Sequence, residues 1–145
     1  MRLVIDIETN GLYDDVTKVW CVVIKDIDKG TVVSVQSKFS SLKNMLDRAT
    51  LVIGHNIIDY DLPVLEKILG ITYTGEVFDT YTASCLLNPD RKGGHSLESW
   101  GKRLGFAKGD FNDWSKFSSE MLDYCINDVL LSERVYYKLS DEVNK

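Results

Sequence analysis

The stretch that decides the fold is LVIDIETNGL, residues 3–12. It begins as an apolar run, continues as an alternation of acidic and apolar residues, and ends at the turn signal Asn10-Gly11. The pattern predicts a buried first strand with Asp6 and Glu8 near its end. Because side chains two apart in a strand point to the same side, both carboxylates are expected to project together.

Two carboxylates held side by side in a half-buried place repel each other. A divalent cation removes that repulsion, and carboxylate oxygens with open water positions suit Mg²⁺ or Mn²⁺. The alternative is an ordinary solvent-facing strand end. The spacing of Asp6 and Glu8 does not by itself decide between the two.

The rest of the chain alternates between strand and helix patterns. Strands are predicted at residues 18–27, 31–39, 51–54 and 76–78, and helices at 40–48, 62–69, 80–87, 96–104 and 118–142. Ser40 or Ser41 is predicted to cap the first helix, and Asp79 the third. Residues 106–117 lack periodicity and are predicted to form a loop. The order predicts one α/β domain over residues 1–145, with a mixed β-sheet that contains an antiparallel hairpin and is flanked by α-helices.

Composition excludes several classes of protein. No apolar run approaches the roughly 18 residues of a membrane span, so we expect a cytoplasmic protein without membrane contact. The three cysteines, Cys21, Cys85 and Cys125, fit neither a disulfide framework nor a zinc site and are interpreted as reduced core residues. The net charge of −5 argues against a protein that grips nucleic acid by bulk positive charge. It does not exclude an enzyme that touches a strand end through bound metal ions.

Two further polar segments accompany the first. HNIIDYDLP, residues 55–63, directly follows an apolar run, as ligand-binding loops of sheet enzymes do. Asp61 precedes a helix with Pro63 in its first turn, so an N-cap is its alternative role. Tyr124 and Asp128 are four apart in the last predicted helix and therefore share a face. The alternative to a functional pair is that Tyr124 packs at the edge of the core and Asp128 is solvated.

Together these segments resemble the motifs of the DEDD superfamily of 3′→5′ exonucleases, in its tyrosine-containing (DEDDy) branch. DIETNGL (6–12) looks like the first motif, Asn56 followed by Tyr60-Asp61 is similar to the second, and YCIND (124–128) resembles the third, Y-x-x-x-D. The motifs come in the family order and span nearly the whole chain. The chain most resembles the proofreading domain of phage-type family A DNA polymerases. The resemblance implies a ribonuclease-H-like fold.

The resemblance also implies a role for each motif residue. Two divalent cations, Mg²⁺ with Mn²⁺ able to substitute, would be held by four carboxylates: Asp6, Glu8, Asp61 and Asp128. Tyr124 would orient the attacking water, because a phenol pKa near 10 makes it a better positioner than base. The positions that match contacts to the terminal nucleotide are Thr9, Leu12 and Asn56.

The implied reaction is two-metal hydrolysis of phosphodiester bonds at DNA 3′ ends, releasing nucleoside monophosphates in proofreading or end trimming. The implied partners are a single-stranded or frayed 3′ end and a separately encoded DNA polymerase, in the cytoplasm of a bacterium or a phage-infected cell. An exoribonuclease of the same superfamily is the alternative within the enzyme class. A non-catalytic nucleic-acid-binding module is the alternative outside it. A free-standing enzyme and an excised domain both remain open.

Other residues compete for functional roles. Tyr124 occupies the matching position, so His95 is interpreted as a loop residue rather than a general base. Asp61 is preferred to Asp59 because of its aromatic neighbour. Trp100 and Trp114 are interpreted as packing residues. A group of basic residues is either solvated surface or a path for the strand backbone: Arg91, Lys92, Lys102, Arg103, Lys108 and Lys116.

Overall fold

The computed structural model describes residues 1–106 and 109–145. Within them the strands are β1 Arg2–Thr9, β2 Val19–Asp26, β3 Thr31–Val35, β4 Leu51–Gly54 and β5 Glu76–Asp79. The helices are α1 Ser40–Arg48, α2 Leu62–Leu69, α3 Thr80–Leu87, α4 Leu97–Leu104 and α5 Ser119–Val143. A single π-helical turn, Ile57–Asp61, leads directly into α2.

The strands form one mixed sheet in the order β3-β2-β1-β4-β5. The β1–β2 and β2–β3 pairs are antiparallel, whereas β1–β4 and β4–β5 are parallel. The predicted α/β class and mixed sheet are therefore confirmed. The parallel strands β1 and β4 run in the same direction, and β4 ends beside the middle of β1, since their last pair is Val4 and Ile53.

The central strand β1 is covered on both faces of the sheet. Its side chains alternate between the two faces, so each face carries every second residue. Leu3, Ile5 and Ile7 join a core cluster with α1 and α2. Val4 joins the opposite cluster, which α5 supplies through Cys125 and Val129. Asp6 and Glu8 share the parity of Val4 and so lie on the face that α5 covers. The long helix α5 in turn packs its outer side against α3 and α4.

Two predicted boundaries are wrong at the start of α1. β3 ends at Val35 rather than at residue 39, because Lys38 takes a left-handed backbone with φ of 56° that an extended strand cannot contain. Neither Ser40 nor Ser41 caps α1, since both lie inside the helix, and the cap position falls on Phe39 without a side-chain hydrogen bond. Phe39 packs on the apolar cluster instead, and this burial fixes the helix start.

The segment after β4 is more regular than the predicted loop. Gly54 ends the strand at a place where a Cβ would come within 2.9 Å of the Ile5 carbonyl oxygen, so only glycine fits without displacement. Asn56 then takes a left-handed conformation, and the π-helical turn follows. The Asp79 carboxylate connects the π-helical turn to the start of α3. It accepts hydrogen bonds from the backbone N–H groups of Asn56 and Ile58, and it caps α3 as predicted.

Cys21 and Cys125 are free and buried, as the sequence predicts, but Cys85 is only half-buried because it lies on the partly exposed helix α3. Trp100 is a packing residue, as predicted: its side chain is buried in the cluster between α4 and α5. None of the described helices combines the length and apolar character that a membrane crossing requires.

Candidate active site

The edge where β1 and β4 end gathers the predicted carboxylates. Asp6 and Glu8 project from β1 towards α5, Asp128 comes from α5, and Asp61 closes the π-helical turn after β4. Glu8, Asp61 and Asp128 are each less than a tenth exposed. β4 pairs with β1 only as far as Val4, so the second half of β1 leaves an open edge beside the π-helical turn.

The electrostatics of Asp6 show that the carboxylates act on one another. Burial raises the pKa of Asp6 well above its usual range, and the charges of Asp128, Asp61 and Glu8 raise it further. Among the described residues, the charges that act most strongly on Asp6 are all carboxylates. The cluster therefore opposes its own ionisation unless a cation enters it.

The Asp61 carboxyl group is also harder to ionise than usual, and backbone hydrogen bonds offset this only in part. Burial raises its pKa, as does the charge of Glu8, while the backbone N–H of Ile7 lowers it. Asp61 has helical dihedrals and makes no side-chain capping bond to α2, which excludes the N-cap alternative. Its buried Oδ2 has no hydrogen-bond partner among the described residues. Asp59, its competitor, is exposed and brings no carboxylate into the cluster.

Cys125 lies beneath Asp6 and was not anticipated as a site residue. Contact with the Cys21 thiol raises the pKa of Cys125, and burial and the charge of Asp6 raise it further, so the thiol stays protonated. It donates to Asp6 Oδ2 at 3.4 Å and thereby orients this carboxylate. The signal was present in the sequence, since Cys125 is one residue from Tyr124 on the apolar face of α5.

These residues fit a divalent cation. One ligand atom each of Asp6, Glu8 and Cys125 lies within 4.8 Å of the others, and the unpartnered oxygen of Asp61 belongs to a third carboxylate whose charge couples to this group. With the thiol protonated, the available donors are carboxylate oxygens, which suit the hard cations Mg²⁺ and Mn²⁺ rather than a soft metal.

A pocket of about 370 Å³ opens beside the carboxylates. Thr9 and Leu12 line it together with Glu8, Tyr60 and Trp114. The Thr9 hydroxyl hydrogen-bonds Tyr60, and Leu12 is 77% exposed. Asn56 does not line the pocket: it is exposed, and its backbone is held by Asp79.

Trp114 is more than a packing residue, which corrects the prediction from the sequence. Its indole Nε1 donates to Glu8 Oε2 at 2.8 Å, and its carbonyl accepts from Trp20 Nε1 at 2.9 Å. Its ring stands edge-on to Phe111 and to Tyr124, with centroids 5.2 Å and 6.5 Å away. Aromatic residues in an aperiodic loop directly before the helix of Tyr124 were the available signal.

His95 lies outside this cluster, as predicted. Its Nδ1 is 2.7 Å from Ser84 Oγ and its Nε2 is 3.1 Å from the Pro89 carbonyl oxygen, so both ring nitrogens are engaged in connecting α3 to the next loop.

The basic stretch is largely structural in the part that the structure describes. Arg91 forms an ion pair with Glu142, and the guanidinium groups of Arg91 and Arg103 each lie 4.7 Å from the centre of a Trp100 ring. Lys102 pairs with Glu98 on the surface of α4. Arg91 and Arg103 are therefore held within the fold, which neither interpretation predicted, whereas Lys102 lies on solvated surface. Lys108 lies outside the described residues.

The family follows from comparison with known proteins. The family model described as 3′-5′ exonuclease matches residues 2–144. The chain belongs to the 3′-5′ exonuclease family. It is therefore a metal-dependent nuclease of the DEDD type, and its fold is ribonuclease-H-like, as predicted.

Two phage polymerases are similar to this exonuclease in sequence. The DNA-directed DNA polymerase of Escherichia phage T7 is 30% identical in an alignment that covers 94% of this chain and 26% of the polymerase. The polymerase of Enterobacteria phage T3 is 29% identical over the same shares. This exonuclease thus spans about a quarter of the length of the curated relatives that it matches.

Solved structures give the same fold. NrnC of Brucella melitensis bound to pGG has a TM-score of 0.79 and 28% identity, covering 99% of this chain and 73% of that one. NrnC with bound Mg²⁺ gives a TM-score of 0.78 at 27% identity, over the same shares. Escherichia coli RNase D, an exoribonuclease, has a TM-score of 0.72 at 16% identity, covering 99% of this exonuclease and 40% of RNase D, and supports the fold alone.

Proposed function

We propose that this exonuclease, as one domain over residues 1–145, removes nucleotides from DNA 3′ ends with two divalent cations and releases nucleoside monophosphates. The observation that carries the proposal is the meeting of four carboxylates beside a pocket that Thr9 and Leu12 line. The likeness to phage DNA polymerases favours DNA as the substrate.

The residues that would hold the two ions are Asp6, Glu8, Asp61 and Asp128. When bound, such ions stabilise the attacking and leaving oxygens of a phosphodiester displacement. The carboxylates supply the negative charge that retains the ions, and the Cys125 thiol fixes the Asp6 carboxylate. Tyr124 orients the attacking water through its hydroxyl.

The pocket is proposed to receive the terminal nucleotide. Leu12, which is 77% exposed, would pack against the last base, and Thr9, whose hydroxyl is fixed by Tyr60, would contact the same nucleotide. Asn56 is proposed as a more distant contact, reached once the strand extends beyond the pocket. A single-stranded or frayed end fits such a site because no complementary strand has to be accommodated.

Proofreading for a separately encoded DNA polymerase, in the cytoplasm of a bacterium or a phage-infected cell, is the setting that the phage relatives favour. A second candidate, an exoribonuclease, is favoured by the likeness to NrnC, whose structure contains pGG. A binding module without catalysis has no support, since all four carboxylates and Tyr124 are retained.

The test uses DNA and RNA strands of one sequence, each labelled at its 5′ end, incubated with Mg²⁺ or with EDTA. We expect a ladder of products shortened from the 3′ end, formed faster on DNA, and lost with EDTA. Faster trimming of RNA would establish the second candidate. Activity retained in EDTA, or equal activity in Asp6→Ala, would contradict the metal assignment.

A further inference from the structure

The bond between Trp114 and Glu8 connects the loop before α5 to a proposed metal ligand. We infer that Trp114 is a positioning residue of the exonuclease, whose indole N–H holds the Glu8 carboxylate in the orientation that metal binding needs. This inference rests on the proposed assignment of Glu8 as a ligand. Trp114 itself would touch neither ion.

The charges around Glu8 explain why such a donor is needed. Glu8 is 7% exposed and its charge acts on both Asp6 and Asp61. Repulsion within this cluster favours rotation of a flexible glutamate away from its neighbours. A hydrogen bond of 2.8 Å from Trp114 opposes that rotation. The indole group is a donor only and is neutral, so it orients the carboxylate without cancelling the charge that attracts a cation.

Trp114 is itself fixed on several sides, which a positioning residue requires. Its backbone carbonyl accepts from Trp20 Nε1 on β2, and its ring meets Phe111 and Tyr124 edge-on. The indole therefore has a defined place relative to β1 although the residue is 37% exposed. Hydrogen-bond partners of metal ligands commonly raise metal affinity or activity by about 10- to 100-fold.

The ring of Trp114 also contributes to the site independently of its N–H group. It lines the pocket that Thr9 and Leu12 also line, so loss of the ring affects substrate binding independently of the N–H. Trp114→Phe keeps an aromatic ring and removes the donor. Trp114→Gln removes the ring and keeps an N–H the same number of bonds from Cβ. The pair distinguishes orientation of Glu8 from packing.

Trp100 provides a matched control. Its Nε1 donates to Ser84 Oγ at 3.0 Å, a bond of similar length to that of Trp114, but it lies in the cluster between α4 and α5 away from the carboxylates. Trp100→Phe therefore removes an equivalent bond without reaching Glu8. Any general cost of losing an indole donor appears in both Phe variants.

The experiment measures Mn²⁺ binding by calorimetry without substrate, then the Mg²⁺ concentration for half-maximal activity, at a temperature where each variant is folded by circular dichroism. We expect Trp114→Phe to weaken Mn²⁺ binding and raise the Mg²⁺ requirement by about 10-fold or more. Trp114→Gln and Trp100→Phe should both stay near the parent in metal binding, with KM raised only in Trp114→Gln.

The outcomes separate this inference from the proposed function. Unchanged Mn²⁺ affinity in Trp114→Phe, with a parent that binds Mn²⁺ through Asp6, overturns the role of Trp114 alone. Equal losses in Trp114→Phe and Trp114→Gln also overturn it, because packing would then explain both. A parent that binds no Mn²⁺, or binds it as well after Asp6→Ala, overturns the metal assignment and this inference together.

Discussion

Ionisation of Asp6 works against the fold when no cation is present. Burial and then the charges of Asp128, Asp61 and Glu8 raise its pKa. A carboxyl group whose pKa is higher in the folded than in the unfolded chain stabilises the fold while it is protonated and opposes the fold as it ionises. The stability of the metal-free protein should therefore fall as pH rises from the unfolded pKa of Asp6 through its raised folded pKa.

Asp6→Asn removes the buried negative charge of Asp6 and also removes a proposed metal ligand. In EDTA near neutral pH, we expect the melting temperature of the variant to exceed that of the parent by at least a few degrees. A change of about 1 kcal/mol in unfolding free energy shifts the melting temperature of a somewhat larger chain by roughly 2–4 °C. The difference should shrink as the pH is lowered towards the unfolded pKa of about 3.9, and nuclease activity should be lost. Melting curves over a series of pH values measure the difference. A variant less stable than the parent at every pH would show that Asp6 stabilises the metal-free fold.

Tyr124→Phe tests the proposed water-orienting hydroxyl. We expect kcat to fall on the order of 10- to 100-fold with KM nearly constant, because the hydroxyl acts mainly in the transition state and contributes less than a full general base. Tyr137→Phe is the control, since the Tyr137 hydroxyl donates to Glu133 on the same helix at 2.8 Å. A loss confined to KM would make Tyr124 a substrate-binding residue instead.

At the scale of elements, the junction around Asp79 determines where Asp61 lies. Asp79 accepts four backbone N–H groups: one directly before the π-helical turn, one within it and two in the first turn of α3. The turn that ends at Asp61 therefore depends on a side chain that follows β5. Sequence patterns predicted the cap of α3 but not this second function, because the bond between Asp79 and Asn56 spans 23 residues.

Asp79→Ala should therefore affect both stability and metal use. We expect a loss of at least about 1–2 kcal/mol in unfolding free energy, the upper part of the range for a helix cap, and an increased Mg²⁺ requirement because Asp61 is less well placed. Ser96→Ala, which removes the cap of α4 away from the site, is the matched control. An unchanged Mg²⁺ requirement in Asp79→Ala would mean that the π-helical turn holds Asp61 without it.

At the scale of the whole molecule, the periodic pattern of the sequence predicted which side chains share a face of a strand or helix. It did not predict contacts between residues that are far apart in the chain. The alternation in β1 predicted the common face of Asp6 and Glu8, and the spacing in α5 placed Tyr124 and Asp128 on one side. The bond from Trp114 to Glu8 spans 106 residues and has no periodic signal. The end of β3 was missed because a single left-handed residue, Lys38, ended it.

The overall charge of −5 and the acidic site also shape the choice of substrate. The protein lacks the bulk positive charge that would hold a duplex open, so unpairing of the terminal nucleotides, which costs a few kcal/mol, is left to the substrate. We expect faster trimming of single-stranded and mismatched 3′ ends than of a matched duplex. Rates on otherwise identical hairpins measure this, and equal rates would contradict a proofreading role.

Asp6, Glu8, Asp61 and Asp128 are proposed to form the cation site of this exonuclease. Crystals soaked in Mn²⁺, with data collected for anomalous scattering, would locate the ions. We expect an anomalous peak about 2.0–2.6 Å from carboxylate oxygens of Asp6 and at least one other member of the cluster. Mn²⁺ bound elsewhere, with none at Asp6, would contradict this proposal.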